Sequence, residues 1–337
     1  MKRRASGGFA LAEALLALLL ATLVALLAVQ VLSSAARASL MQPRMADDQQ
    51  RLRAAVDQLA GWLGVAGQGL TGGGVNQGAL PLPAAYPQRR GVLTSDADTG
   101  AFGERLTIVS GVDSIATATL ETAMVNARDT IRLAASSCAP GRAACGFGVG
   151  SHALISDALV FGEWFAVSRV SGGVLEHSAP ALTRAYSPTD LAVLSAVDIR
   201  AIWFDRSNHQ LRVAGPASDV PWLDGVEDFQ VRWFGDARPP AGPRPPSGVG
   251  NCVLDASGAT RLPSLGPPGG LSIELPLSAF RDGPWCGVAP WRFDADLFRV
   301  RLLRLTVRLD SVPTSVGAAA SLPPVQFDVA PRNLSRQ

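Results

Sequence analysis

Hydrophobic and polar positions follow three successive patterns along the chain. Residues 14–36 are Ala, Leu and Val, relieved only by Thr22, Gln30, Ser33 and Ser34, and no charge falls between Glu13 and Arg37. A helix of about 20 such residues spans a bilayer. The pattern then turns amphipathic: Leu52, Val56, Leu59 and Leu63 recur on one helical face, with Asp47, Asp48, Gln49, Arg51, Arg53 and Asp57 mainly elsewhere. One long helix is predicted, kinked at Pro43 and ending in the glycines of 64–78. From 105 onward the pattern is that of short strands, predicted at 105–110, 130–134, 159–167, 199–204, 210–213, 226–234, 271–277 and 298–309. In 226–234, Glu227, Phe229, Val231 and Trp233 share the phase expected to face a core. In 298–309 the apolar phase switches, which predicts a β-bulge at Leu302 and Leu303 and an outward stripe of Arg299, Arg301, Arg304 and Arg308.

Glu13 stands apart from this pattern. A lone carboxylate at membrane depth costs on the order of 2.5–3.5 kcal/mol at the centre and less near an end, so it calls for a partner. No cation lies between Ala14 and Ala36. Cutting between Gly8 and Phe9 would create one, an α-amino group one helical turn from Glu13. A first-turn carboxylate also answers the positive end of the helix dipole. Between subunits, Glu13 of one helix would neutralise the Phe9 amine of a neighbour while apolar faces pack. Lys2, Arg3 and Arg4 hold the N-terminus on the cytoplasmic side.

Gly8-Phe9-Ala10-Leu11-Ala12-Glu13 resembles the class III signal of type IV prepilins, Gly-Phe-Thr/Ser-Leu-x-Glu, with Ala10 in place of the usual hydroxyl residue. The resemblance implies cleavage by prepilin peptidase after Gly8, N-methylation of Phe9, and Glu13 as the assembly carboxylate. Leu223-Asp224-Gly225-Val226-Glu227-Asp228-Phe229-Gln230-Val231-Arg232-Trp233, the strand Val300 to Leu309 and the ending Phe327-Asp328-Val329-Ala330-Pro331-Arg332-Asn333-Leu334 are similar to large PilW-type minor pilins. It follows that the fold class is α+β and pilin-like, a long helix with a membrane-spanning half and an amphipathic half carrying a β-rich, loop-rich globular head. The expected organisation is a leader at 1–8, an assembly helix at 9–36, its amphipathic continuation at 37–64, a Gly/Pro-rich linker at 65–104, and a periplasmic head at 105–337. Pro-rich insertions near 238–248 and 263–270 read as exposed loops or partly disordered segments.

The implied function is that of a minor pilin priming assembly at the tip of a type IV pilus, anchored singly in a bacterial inner membrane before it enters the fibre. Its implied partners are prepilin peptidase, other minor and major pilins, the inner-membrane assembly platform and membrane lipid. The alternatives are a GspJ-like minor pseudopilin of type II secretion, or a bitopic envelope protein whose β-rich domain binds a ligand. A secretory signal peptide fits less well, because its apolar core normally runs 7–15 residues.

Composition narrows the chemistry. The net charge of +2, with acids and bases dispersed, gives no nucleic-acid footprint. Lys2 is the sole lysine, so Walker-type phosphate binding, Schiff-base chemistry and Ser-Lys hydrolysis are absent beyond the leader. Cys138, Cys145, Cys252 and Cys286 favour two disulfides outside the cytoplasm. Neighbours in sequence suggest Cys138–Cys145 and Cys252–Cys286, one of three possible connectivities. Neither pair has zinc-ligand spacing, and no metal or cofactor is expected.

The remaining motifs are weak. Gly67-Gln68-Gly69-Leu70-Thr71-Gly72 matches GxGxxG but follows a helix, and reads as a helix terminator and linker. His152, His177 and His209 lie near no nucleophile motif, and Gly150-Ser151-His152 lacks the G-x-S-x-G elbow, so no catalytic residue is assigned. Asp96-Ala97-Asp98 and Asp294-Ala295-Asp296 lack the rest of a calcium loop. The tryptophans read as core and loop anchors, with Trp285 and Trp291 flanking Cys286 as a possible surface patch.

Overall fold

The computed structural model describes residues 9–70, 82–111, 116–138, 140–157, 162–177, 182–245, 247–266, 272–287, 289, 292–310 and 323–331. The chain is α+β, with an N-terminal apolar helix and a β-rich antiparallel head, and it divides into two units, Met1–Val56 and Asp57–Gln337. Helix α1 (Phe9–Gly64) runs through Pro43 without ending there. Within it, Leu11–Ala36 has a mean hydropathy of 2.8, long and apolar enough to cross a membrane. The hydroxyls of Thr22, Ser33 and Ser34 donate to carbonyls three residues back, at 2.8–2.9 Å. That local bonding leaves no hydroxyl donor of theirs for a lipid to solvate.

In the second unit, the last turns of α1 bury Leu59 and Leu63 completely while Asp57, Gln58 and Gly61 stay exposed. The helix stops at Gly64, and the next residues dock on the head as a turn. Gly67 N–H donates to Val109 O at 2.8 Å, and Gly111 N–H donates to Gln68 O. Gly67 and Gly69 adopt φ of 75° and 73°, and a Cβ on Gly111 would sit 2.8 Å from the Gly69 backbone. Two backbones therefore cross in contact, which only glycine permits. These glycines serve packing, in place of the free linker expected there.

The head contains strands β1 (Ala85–Tyr86), β2 (Arg105–Gly111), β3 (Thr117–Thr119), β4 (Ile131–Arg132), β5 (His152–Ser156), β6 (Glu163–Ser171), β7 (Val174–His177) and β8 (Val193–Asp205). Next come β9 (Gln210–Ala214), β10 (Asp219–Asp224), β11 (Val226–Gly235), β12 (Ile273–Leu275), β13 (Trp285–Cys286), β14 (Phe293–Asp294), β15 (Val300–Leu309) and β16 (Val325–Val329). β8, with 13 residues, is the spine of the larger sheet. β3 and β2 pair along one of its edges and β5 and β9 along the other, all antiparallel. The order β12-β11-β15-β16 makes a second antiparallel sheet, and β11 packs against β2, β8 and β9 of the first. Phe229, Val231 and Trp233 of β11 and Leu303, Leu305, Val307 and Leu309 of β15 fill the space, each at most 4% exposed. A further core of Ile131, Phe147, Ile155, Phe165, Leu175 and Leu194 lies under β4 to β8.

Several expectations need correction. Glu227 is exposed and Val226 buried, because the register shifts between Val226 and Asp228 and inverts the alternation at the strand's start. The irregularity in β15 lies between Val300 and Leu302, opposite Gly235, earlier than the predicted Leu302–Leu303 step. Phe298 and Arg299 belong to a 3₁₀ turn (Ala295–Arg299) that ends before the strand begins. Residues 82–104 are no linker: Leu82, Ala84, Tyr86, Gln88 and Arg90 are buried, and β1 pairs with β2. The two expected Pro-rich segments fall in one long insertion between β11 and β12, in which Pro240, Pro243, Val253, Leu254 and Leu262 are buried. Residues 267–270 lie outside the described residues.

Candidate functional site

The chemistry that the sequence singles out is concentrated at the start of α1. Among the described residues α1 runs from Phe9, and Glu13 follows four residues later, two residues into the apolar span. Gly8 lies outside the described residues, as do residues 1–7. Counted from Phe9, Glu13 is the fifth residue, and the dipole effect fades within the first turn. A charge at Glu13 then needs a discrete cation, from its own N-terminus or from a neighbouring helix.

In the head, Cys138 is bonded to Cys145 and Cys252 to Cys286, across separations of 7 and 34 residues. The second bridge ties the Pro-rich insertion to β13, which pairs with β14. Trp285 stacks under Arg292 at 4.8 Å, whereas Trp291 lies outside the described residues.

The sequence did not reveal how far the arginines are committed. Arg299, predicted to point outward, is wholly buried. Its guanidinium pairs with Asp296 and donates to the carbonyls of Ala237, at 3.0 Å, and Pro263. The side chain reaches inward because its residue sits in the 3₁₀ turn, where strand alternation no longer applies. It thereby ties Ala237 and Pro263, two points of the Pro-rich insertion, to the root of β15. Beside it, Asp294 accepts from Gly283 N–H at 2.7 Å and Asp296 N–H at 2.9 Å, and burial pushes its carboxyl up to about 6. Burial likewise raises Asp296, against the opposing pull of Arg299.

The other stripe arginines remain part-exposed and each has an acid: Arg301 with Asp236 at 2.9 Å, Arg304 with Asp328 at 2.7 Å, Arg308 with Glu227 at 3.3 Å. Asp96 takes Arg89 and Arg105, and Asp98 takes Arg292 at 2.7 Å, so the faint calcium-loop residues serve ion pairs. A groove of about 420 Å³ beside β11 is lined by Gly103, Glu104, Arg206, Asp228, Arg232 and Glu274, among others. Four of its charges pair as Arg206–Glu104 and Arg232–Glu274, while Asp228 accepts from the Gln230 amide at 3.2 Å.

The structure does not gather the histidines. His152 is buried in β5, which lowers its pKa, His177 meets Asp129 O at 3.2 Å, and His209 pairs with Asp310 at 3.2 Å. Among the described residues, no group of His, Cys, Asp and Glu is arranged to hold a metal ion. No protein-family model, curated protein or solved structure matches the chain. Function must be read from the residues alone.

Proposed function

We propose that this chain is a minor pilin, cut after Gly8, methylated at Phe9 and built into a type IV pilus near its tip. The observation that carries the reading is Glu13, one carboxylate four residues after Phe9 at the mouth of an apolar span that offers it no cation. Cleavage would supply the missing charge, and pairing between subunits would use that charge to set the stagger of packed helices. The basic leader, the spanning helix and a disulfide-bonded antiparallel head support the same reading, with the head in the periplasm.

Mass spectrometry of the chain extracted from membranes tests it. Lys2 is the sole lysine, so loss of the leader leaves the Phe9 nitrogen as the chain's remaining amine. The expected N-terminus is N-methyl-Phe9, with no lysine recovered. An intact Met1 and Lys2 would sink the proposal in favour of an anchored envelope protein. Glu13→Ala is expected to leave cleavage unchanged while the chain disappears from sheared fibres; normal incorporation of that variant would overturn the role given to Glu13.

A further inference from the structure

β16 (Val325–Val329) closes one edge of the second sheet, and its outer side has no strand partner among the described residues. Val325, Phe327 and Val329 continue the apolar row of Leu303, Leu305 and Val307, yet they are only half-buried where those three are fully covered. No lysine, proline or bulge interrupts the strand, although such devices commonly protect an edge from pairing. Pro323 and Pro324 before it and Pro331 after it lack amide donors and set the length over which a new strand could bond.

The sequence of the strand, Val325-Gln326-Phe327-Asp328-Val329, is symmetric in type about Phe327. Antiparallel pairing with a second copy, centred on Phe327, sets Val325 against Val329, Phe327 against Phe327 and the Gln326 amide against the Asp328 carboxylate. All five residues then find partners, and no like charges meet. The parallel arrangement would face Asp328 with Asp328, as would an antiparallel slip of two residues towards the C-terminus; a slip of one residue sets Phe327 against Asp328, and a slip of two either way pairs only three of the five residues. Asp328 keeps its bond from Arg304 in the symmetric register, since that partner lies on β15 within the same copy. From this complementarity we infer that β16 is a self-docking edge, joining the heads of two copies of this chain through a two-fold axis at Phe327.

The pairing goes beyond the pilin proposal and can fail independently of it. Directly opposed residues of an antiparallel pair lie about 4.5–5.5 Å apart at Cα, within the range of about 4.4–6.8 Å that a disulfide spans. All four native cysteines are bonded, so an added one stands alone. In the full chain, solubilised in detergent and mildly oxidised, Phe327→Cys is expected to shift to twice the monomer mass. Val325→Cys alone should stay monomeric, whereas a mixture of Val325→Cys and Val329→Cys should cross-link. Gln326→Cys mixed with Asp328→Cys repeats the test at exposed positions, so that loss of Phe327 packing does not decide the outcome. A monomeric Phe327→Cys together with an unlinked Gln326→Cys and Asp328→Cys mixture would overturn the inference. Self-linking of Val325→Cys as fast as Phe327→Cys would overturn it as random collision. In intact cells, an adduct of Gln326→Cys to a protein of another mass would overturn it by showing a foreign occupant on this edge.

Discussion

A buried guanidinium gives the head its most sensitive single contact. Arg299 has no exposed surface, and removing it strands the Asp296 carboxylate and two backbone carbonyls in the interior. Breaking one partner of such a pair costs about 3–5 kcal/mol. Arg299→Met is therefore expected to lower the stability of the head by that amount and to open the Pro-rich insertion to protease, measured by denaturant titration and limited proteolysis. A loss below about 1 kcal/mol would place the pair among weak surface contacts. Asp294 sets a pH dependence of the opposite kind to a stabilising carboxylate. Its folded value of about 6 lies above the ordinary value of 3.8, so ionisation opposes folding. No penalty exists below the lower value; it grows as pH rises from about 4 to 6 and then stays constant. Asp294→Asn should flatten the stability profile between pH 4 and 6 and stabilise the head at pH 7. An unchanged profile would remove this residue from the account.

Elements are positioned by a few backbone approaches that tolerate no side chain. A Cβ at Gly235 would collide with the Arg299 carbonyl, at the point where the β11–β15 register shifts. At Gly111 the added carbon would press on the Gly69 backbone and on Gln68 O. Gly111→Val should destabilise the docking of the turn after α1 by roughly 1–3 kcal/mol, the range for overpacking. Hydrogen exchange at the Gly67 amide, which bonds Val109 O, reports it; unchanged protection would refute the crossing as a constraint. The long helix, β11 and most of β15 were legible because their periodicity is strong, and β2 and β9 as short runs rich in β-branched and aliphatic residues. β5 was not, since His152–Ser156 is buried throughout and shows no alternation. β10 was hidden by Pro221, which fits a strand bonded to β9 on one side only. β16 was read as part of a terminal motif and not as an edge.

Across the whole molecule the two disulfides share the work unequally. In the chain-entropy model a bridge closing 34 residues contributes about 3–4 kcal/mol, and one closing 7 residues about 2–3 kcal/mol. Replacing Cys252 and Cys286 by Ala should therefore cost more stability than replacing Cys138 and Cys145, as compared by thermal unfolding; the reverse order would show strain or residual structure outweighing loop length. The larger bridge and Arg299 hold the same insertion from two sides, so combining their loss should be non-additive. The sequence by itself determined the apolar span, the lone Glu13, the basic run Lys2-Arg3-Arg4 before it and the strand-rich character of the head. Each of these depends on local composition or on spacing along a single element. Only the tertiary structure decided that Arg299 turns inward, that residues 82–104 pack, and that β16 has no strand on its outer edge among the described residues. Those outcomes depend on contacts between residues distant in sequence, where burial and shared hydrogen bonds, and not periodicity, choose the direction a side chain takes.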